Sequence, residues 1–426
     1  MLPQCATLFR VLRKFPIRWI ISLKITYLSF RTIFSTYKCN AVTKQIQSIK
    51  RRSFIQTLGV GAGTLLLPQS LRASSAAPEI PTYLKGYEKI FAENPRAAAL
   101  RWFREAKFGL FLHYGLYSLE GRHEWLQLYE KIPVSTYAKL KDRFTAEKFD
   151  ADFITDLALA AEMRYVNITT RHHDGFCLFA TKQTDFNSVN SPAKRDLVAE
   201  LANACGKKGL GLCLYYSHGR DWWHPHGPCN DRWGGSARPE YDPPEPTYAT
   251  GKDHDLNKYL DFMSAQITEL LTQYGPIAAI WLDGIMVPLS DKTKQPCPKP
   301  AALPDNAPEF RCQELYDHIH SLQPQVLISY KQGLLGTEDF FAPEHKAIAA
   351  PDNRPMEICS TLQDGSWGFN KLKRHLTTDE AWAKLVAARS ANANLLLNTG
   401  PMPDGLIPTE HAKVLREIGR RIREQG

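Results

Sequence analysis

The sequence predicts an α/β protein built as a (β/α)8-type, TIM-like barrel, and three observations carry that expectation. Short apolar runs alternate with amphipathic helical stretches from Phe108 to Thr399, the pattern of a parallel sheet covered by helices. No G-x-G-x-x-G and no G-x-x-x-x-G-K-[ST] follows any of these runs, which disfavours a doubly wound nucleotide-binding sheet. Successive runs also end on His, Tyr, Trp or Asp, as they should where a barrel carries its site at the C-terminal strand ends.

The chain opens on a leader. Of its 53 Lys and Arg, 12 lie between Met1 and Ala76, where there is no Asp or Glu. The other 41 stand against 44 acidic residues, so the formal charge of +9 belongs to the leader. That leaves no electrostatic case for nucleic acid. Within "KRRSFIQTLGVGAGTLLLPQSLRASSA", Arg51 and Arg52 precede Phe54, an apolar run too short to span a membrane, and then small residues. This order resembles a twin-arginine export signal. Residues 1–76 are therefore expected to be removed, leaving a periplasmic or secreted protein. The preceding "IRWIISLKITYLSFRTIF" is interrupted by Lys24 and Arg31, and translation is expected to start near Val42.

Residues 77–426 suit one large domain. Seven cysteines fall there with no CxxC pair, so they read as buried thiols rather than a disulfide framework or a zinc site. "FGLFLHYG" is the first strand. "DADFITDLALAAEM" is a helix with Phe153, Leu157, Ala160 and Ala161 on one face. Strand "YVNITTRHHDG", helix "DLVAELANACGKKG" and strand "GLCLYYSHG" follow. Next comes "HPHGPCNDRWGGSARPEYDPPEPTY" (His224–Tyr248), a Pro- and Gly-rich insertion expected to be a functional loop. Then come helix "LNKYLDFMSAQITELLTQYG", strand "IAAIWLDG", helix "FRCQELYDHIHSLQ" and strand "QVLISYKQG". Strands "MEICSTL" and "ANLLLNTG" flank the helix "DEAWAKLVAARSA".

The strand ends are the candidate site. They present His113, then His172, His173 and Asp174, then Tyr215 and Tyr216, then Trp281 and Asp283. Asp283 could cap a following helix, but the Pro and polar residues after Met286 start none promptly, which favours a chemical role. Adjacent strand residues face opposite sides. With no Cys or Glu placed close by, the His172–His173–Asp174 run makes a poor metal site, and no metal is expected.

"WFREAKFGLFLHYGLYS", "HEW", "YVNITTRHHDGFCLF", "LYYSHGRDW", "WLDG", "DFFAPE" and "NLLLNTGPMPDGLIP" resemble, in order, the catalytic domain of the α-L-fucosidases of glycoside hydrolase family 29, from Trp102 to Arg420. The resemblance implies a single barrel domain, here without the C-terminal β-sandwich that many members carry. It implies a retaining exo-α-L-fucosidase that needs no cofactor and acts on fucosylated oligosaccharides or glycoconjugates. Asp283 would be the nucleophile. His113, Glu124, Trp125, His172, His173, Tyr215, Trp281 and Trp367 would hold the sugar. Retention needs a second carboxyl to protonate the leaving oxygen. "DFFAPEH" names Glu344, with Glu338 and Glu357 as alternatives. Lys331 stands where many relatives carry an Arg that contacts the sugar, and a point charge is no substitute for a guanidinium fork. The other readings are a glycosidase for a related sugar such as an α-L-galactoside, and a catalytically silent sugar-binding barrel.

Overall fold

A computed structural model of the chain describes residues 79–233, 237–283, 308–330, 337–348 and 352–425. The leader, its twin-arginine motif, Cys297 and Lys331 lie outside the described residues. The chain runs through α1 (Pro95–Ala106), β1 (Phe108–Leu112), α2 (Ala151–Ala160), β2 (Tyr165–Arg171), α3 (Leu197–Lys208), β3 (Gly211–Tyr216), α4 (Leu256–Gln273), β4 (Ala279–Leu282), α5 (Cys312–Leu322), β5 (Leu327–Ser329), β6 (Glu357–Thr361), α6 (Thr378–Ser390), β7 (Asn394–Thr399) and α7 (Thr409–Gln425).

Local signals start the helices. The side chains of Asp150, Asp196 and Asp255 each accept a backbone N–H at the first turn of α2, α3 and α4. Thr377 and Glu380 close a reciprocal capping box on α6. Each such cap satisfies an N–H that the helix leaves unpaired.

The seven strands of the described residues are all parallel, in the order β5-β4-β3-β2-β1-β7-β6. The gap between β5 and β6 is filled by an irregular stave, 339–345. Asp339 N–H donates to Ile328 O at 2.7 Å on the β5 side. On the β6 side Glu357 N–H donates to Phe341 O at 2.8 Å and His345 N–H to Cys359 O at 2.7 Å. Single parallel bridges join Phe341 to Met356 and Glu344 to Cys359. This stave completes the (β/α)8 barrel and carries Glu344 to its rim.

Inward-facing side chains fill the barrel. Phe111, Tyr165, Cys213, Tyr215, Trp281, Leu327, Phe340, Cys359 and Leu396 pack into one apolar cluster with Trp102 and Phe103 of α1, which plugs the N-terminal end. Space there is tight: a Cβ on Gly109 would lie 2.3 Å from the Tyr165 ring, and one on Gly211 2.6 Å from Trp102. The outward faces pack on the helices in a second, larger cluster.

One helix face differs from expectation. Ala151, Ile154, Thr155, Leu157, Ala158 and Ala161 are buried around α2, whereas Phe153 and Ala160 are only half-buried. The buried i, i+3, i+4, i+7 face begins at Ala151 and not at Phe153. Phe153 packs at the edge of the core, with the Arg416 guanidinium 5.6 Å from its ring centroid. The described cysteines are all buried and make no disulfide.

Candidate active site

The strand ends converge on a cavity of about 230 Å³ lined by Phe111, His113, Trp125, His172, His173, Tyr215, Arg220, Trp281, Asp283, Glu344 and Trp367. This is smaller than the roughly 300–1,000 Å³ of pockets for drug-sized ligands, and suits one pyranose ring.

Asp283 follows β4, with its side chain 13% exposed. Its Oδ2 accepts the Tyr215 phenol at 2.8 Å and lies 3.4 Å from His173 Nε2. Burial, and then the Asp283 charge, push the Tyr215 phenol well above its ordinary pKa, so it remains a donor. His173 is oriented in turn by Ser217, whose Oγ stands 2.6 Å from Nδ1 and donates to Arg220 O at 2.8 Å.

The two neighbouring histidines both line the cavity, contrary to the alternation expected of adjacent strand residues. Strand β2 ends at Arg171, and its register with β3 shifts between Thr169 and Arg171. The strand geometry therefore stops before His172. Arg171 turns outward to a buried ion pair with Asp221 and lies over Tyr216. His172 stacks on Tyr215, with centroids 5.4 Å apart and planes at 10°. Burial, with His173 and His113 nearby, holds His172 well below the ordinary imidazole pKa, so the ring is neutral. Its Nδ1 is buried without a partner among the described residues, the kind of group that a ligand hydroxyl satisfies. Asp174 stands apart from the cavity, accepting the Tyr137 phenol at 2.8 Å.

Trp281 forms the floor. Its indole N–H donates to Glu357 Oε1 at 3.1 Å, and Glu357 Oε2 accepts the Tyr165 phenol at 2.5 Å. Burial pushes the Glu357 carboxyl up to about 7 despite those two bonds. Glu357 is thus a barrel-interior group beneath the floor and is not a lining residue. Glu338 is also absent from the lining: its Oε1 accepts Tyr330 N–H at 2.8 Å, and Arg354 lies 3.5 Å from Oε2. Of the three candidate acids, only Glu344 reaches the cavity. It stands at the end of the closing stave, two staves from Asp283.

Glu124 stands behind the Trp367 wall of the cavity: its Oε2 accepts the backbone N–H groups of Trp367 at 3.1 Å and Gly368 at 2.9 Å. Its carboxyl is raised by burial against the pull of those donors. The Trp367 wall is held from the other side by Asn398, which donates to Trp367 O at 2.7 Å and has Oδ1 2.7 Å from His113 Nδ1.

Two lining residues were not singled out from the sequence. Phe111 is an ordinary inward residue of β1, contacting His113 and Trp281. Arg220 lies within the quoted "LYYSHGRDW", and its guanidinium sits 5.0 Å over Trp125. A cation following a strand end was the available signal. The His224–Tyr248 insertion contributes no described residue to the lining. It is organised by Arg238, whose guanidinium donates to the carbonyls of Pro225 at 2.7 Å and Gly227 at 2.6 Å.

Comparison with known proteins places this geometry in context. The family model described as alpha-L-fucosidase matches residues 76–426. A Caenorhabditis elegans relative of the same family is 28% identical over 346 residues, covering 75% of this chain but only 64% of its own length. Tissue alpha-L-fucosidase of Rattus norvegicus is 28% identical over 401 residues, covering 86% of this chain and 76% of the relative. Among solved structures, alpha-L-fucosidase isoenzyme 1 from Paenibacillus thiaminolyticus superposes with a TM-score of 0.65 at 34% identity, covering 78% of this chain and 76% of that one. Alpha-L-fucosidase AlfC from Lactobacillus casei, solved with its α-L-fucose product, gives 0.65 at 30% identity, covering 77% and 98%.

Proposed function

The chain belongs to the α-L-fucosidase family, and on that premise we propose that it is a retaining exo-α-L-fucosidase that releases terminal α-L-fucosyl residues from glycans. The observation that carries this reading is the fixed Asp283 carboxylate, held by Tyr215 and facing a one-ring cavity that Glu344 also lines. An α-L-fucose product and, in a variant, Fucα(1,6)GlcNAc have been captured in AlfC, which supports the same substrate class here.

In this mechanism Asp283 attacks the anomeric carbon while Glu344 protonates the departing glycosidic oxygen. The C–O bond to the leaving group breaks as the bond to an Asp283 oxygen forms. Glu344, now ionised, takes a proton from water, whose oxygen displaces Asp283 and restores the α anomer. The Tyr215 phenol fixes Asp283 and keeps it ionised until it attacks. His113, His172 and His173 meet the sugar hydroxyls. Phe111, Trp281 and Trp367 cover its apolar face, and Trp125 closes the wall. Glu124 serves this site by holding Trp367.

The leader supports export to the periplasm or beyond by a twin-arginine route, so the mature enzyme would meet extracellular glycans. The test of the function is hydrolysis of 4-nitrophenyl α-L-fucoside and its α-L-galactoside counterpart, followed by NMR. Preference for the fucoside with α-L-fucose as the first product supports the proposal; β-L-fucose released first overturns retention.

A further inference from the structure

We propose that Tyr129, backed by the cavity-lining Trp125, forms a second sugar subsite, a platform that stacks on the pyranose ring next to the fucosyl unit of an oligosaccharide. This rests on the α-L-fucosidase reading of the cavity. Trp125 lines the cavity. Tyr129 lies parallel to it, with centroids 5.8 Å apart and planes at 20°. The two rings are four residues apart across the short helix Leu126–Tyr129, a spacing that puts side chains on one helix face. Tyr129 is 67% exposed, and is the only aromatic among the large exposed apolar side chains of the described residues. An exposed ring continuous with a substrate cavity offers what a sugar needs, a flat apolar face for its C–H groups.

The platform is buttressed. The Arg220 guanidinium lies over Trp125. Trp222 packs edge-on against Trp125 at 5.7 Å, and its carbonyl accepts the Tyr248 phenol at 2.7 Å. From the insertion, Tyr241 donates to Ile132 O at 2.7 Å, just beyond the helix that carries Tyr129. The insertion therefore acts on the leaving sugar from behind, by holding the platform; none of its described residues lines the cavity. Since the cavity has room for one ring, the next sugar lies outside it, and Trp125 leads from the cavity to the exposed Tyr129.

The experiment compares two substrate types in the full chain: α-L-fucosyl fluoride, which has no second ring, and Fucα(1,6)GlcNAc with Fucα(1,2)Gal. Tyr129→Ala should lower kcat/KM for the hydrolysed disaccharides relative to the fluoride by about 3- to 10-fold, mainly through KM, the scale of one aromatic stacking contact. Tyr129→Phe should keep the wild-type ratio. Tyr241→Phe should shift the ratio in the same direction but less. An unchanged ratio in Tyr129→Ala, or a wild-type enzyme that cleaves the fluoride and neither disaccharide, overturns the platform and leaves the fucosidase reading standing. A wild-type enzyme inert toward the fluoride overturns that reading instead.

Discussion

The phenol of Tyr215 donates to Oδ2 of Asp283 across 2.8 Å, and His173 holds Nε2 3.4 Å from the same oxygen. These side chains end β3 and follow β2 and β4, three adjacent staves, so the barrel itself sets their spacing. A carboxylate that takes a hydrogen bond from a permanently protonated phenol is fixed in direction and favoured in its charged form.

Removing that donor has two consequences. Tyr215→Phe should lower kcat/KM on 4-nitrophenyl α-L-fucoside by roughly 10- to 100-fold, the scale of a lost hydrogen bond to a charged group. Because the bond favours ionised Asp283, its loss should also move the acid limb of the pH–kcat/KM profile to higher pH. A folded variant whose acid limb stays in place would show that Tyr215 does not tune the nucleophile.

Glu344 and Glu338 should separate cleanly. Glu344→Ala should slow disaccharides far more than 4-nitrophenyl α-L-fucoside, whose leaving group needs little protonation. Azide should accelerate the variant and yield the α-L-fucosyl azide. Glu338→Gln should act mainly on stability, because its carboxylate receives the Tyr330 N–H in a buried site. The leaving-group signature appearing in the Glu338 variant instead would transfer the role of the acid.

Glu357 gives a pH dependence of stability with a definite sign. Its folded pKa is raised from 4.5 to about 7 by burial. Below the unfolded value both states hold the proton and stability is full. As pH rises from 4.5 through 7 the unfolded state loses the proton first, so stability falls, and then it levels off. The size is on the order of 3 kcal/mol. Glu357→Gln, neutral throughout, should flatten the fall in Tm between pH 5 and 8. Parallel Tm profiles for the two proteins would contradict this.

Glu124 should act through Trp367. Glu124→Ala leaves the Trp367 and Gly368 N–H groups without their acceptor, a cost of about 1–3 kcal/mol per buried donor. The expected result is a lower Tm with KM for aryl fucosides raised more than kcat is lowered. A kcat loss as deep as that of an Asp283 variant, with KM and Tm unchanged, would mark Glu124 as part of the chemistry.

Much of this was legible in the chain. Strands β1 to β7 are apolar runs bounded by turn residues, and their polar ends led directly to His113, Tyr215, Trp281 and Asp283. The closing stave was not legible, because "DFFAPEH" carries Pro343 and pairs through isolated bridges. It reads as a loop although it completes the barrel. Nor could a period-2 rule foresee that a register shift at Thr169–Arg171 turns both His172 and His173 to the cavity. Glu124 was found but its contact was not, since its partners lie more than 240 residues away. The α2 face was misjudged because Phe153 is apolar yet only half-buried, with Arg416 from α7 over its ring.

The central claim is that Asp283 becomes covalently attached to the sugar. Incubation with 2-deoxy-2-fluoro-α-L-fucosyl fluoride slows breakdown of that adduct, and peptide mass spectrometry of the digested enzyme locates it. The mechanism predicts one fluorofucosyl mass increment on the peptide containing Asp283, with fragmentation assigning it to that side chain and Asp283→Asn abolishing it. A stable adduct on Glu344, Glu338 or any other residue would contradict the account.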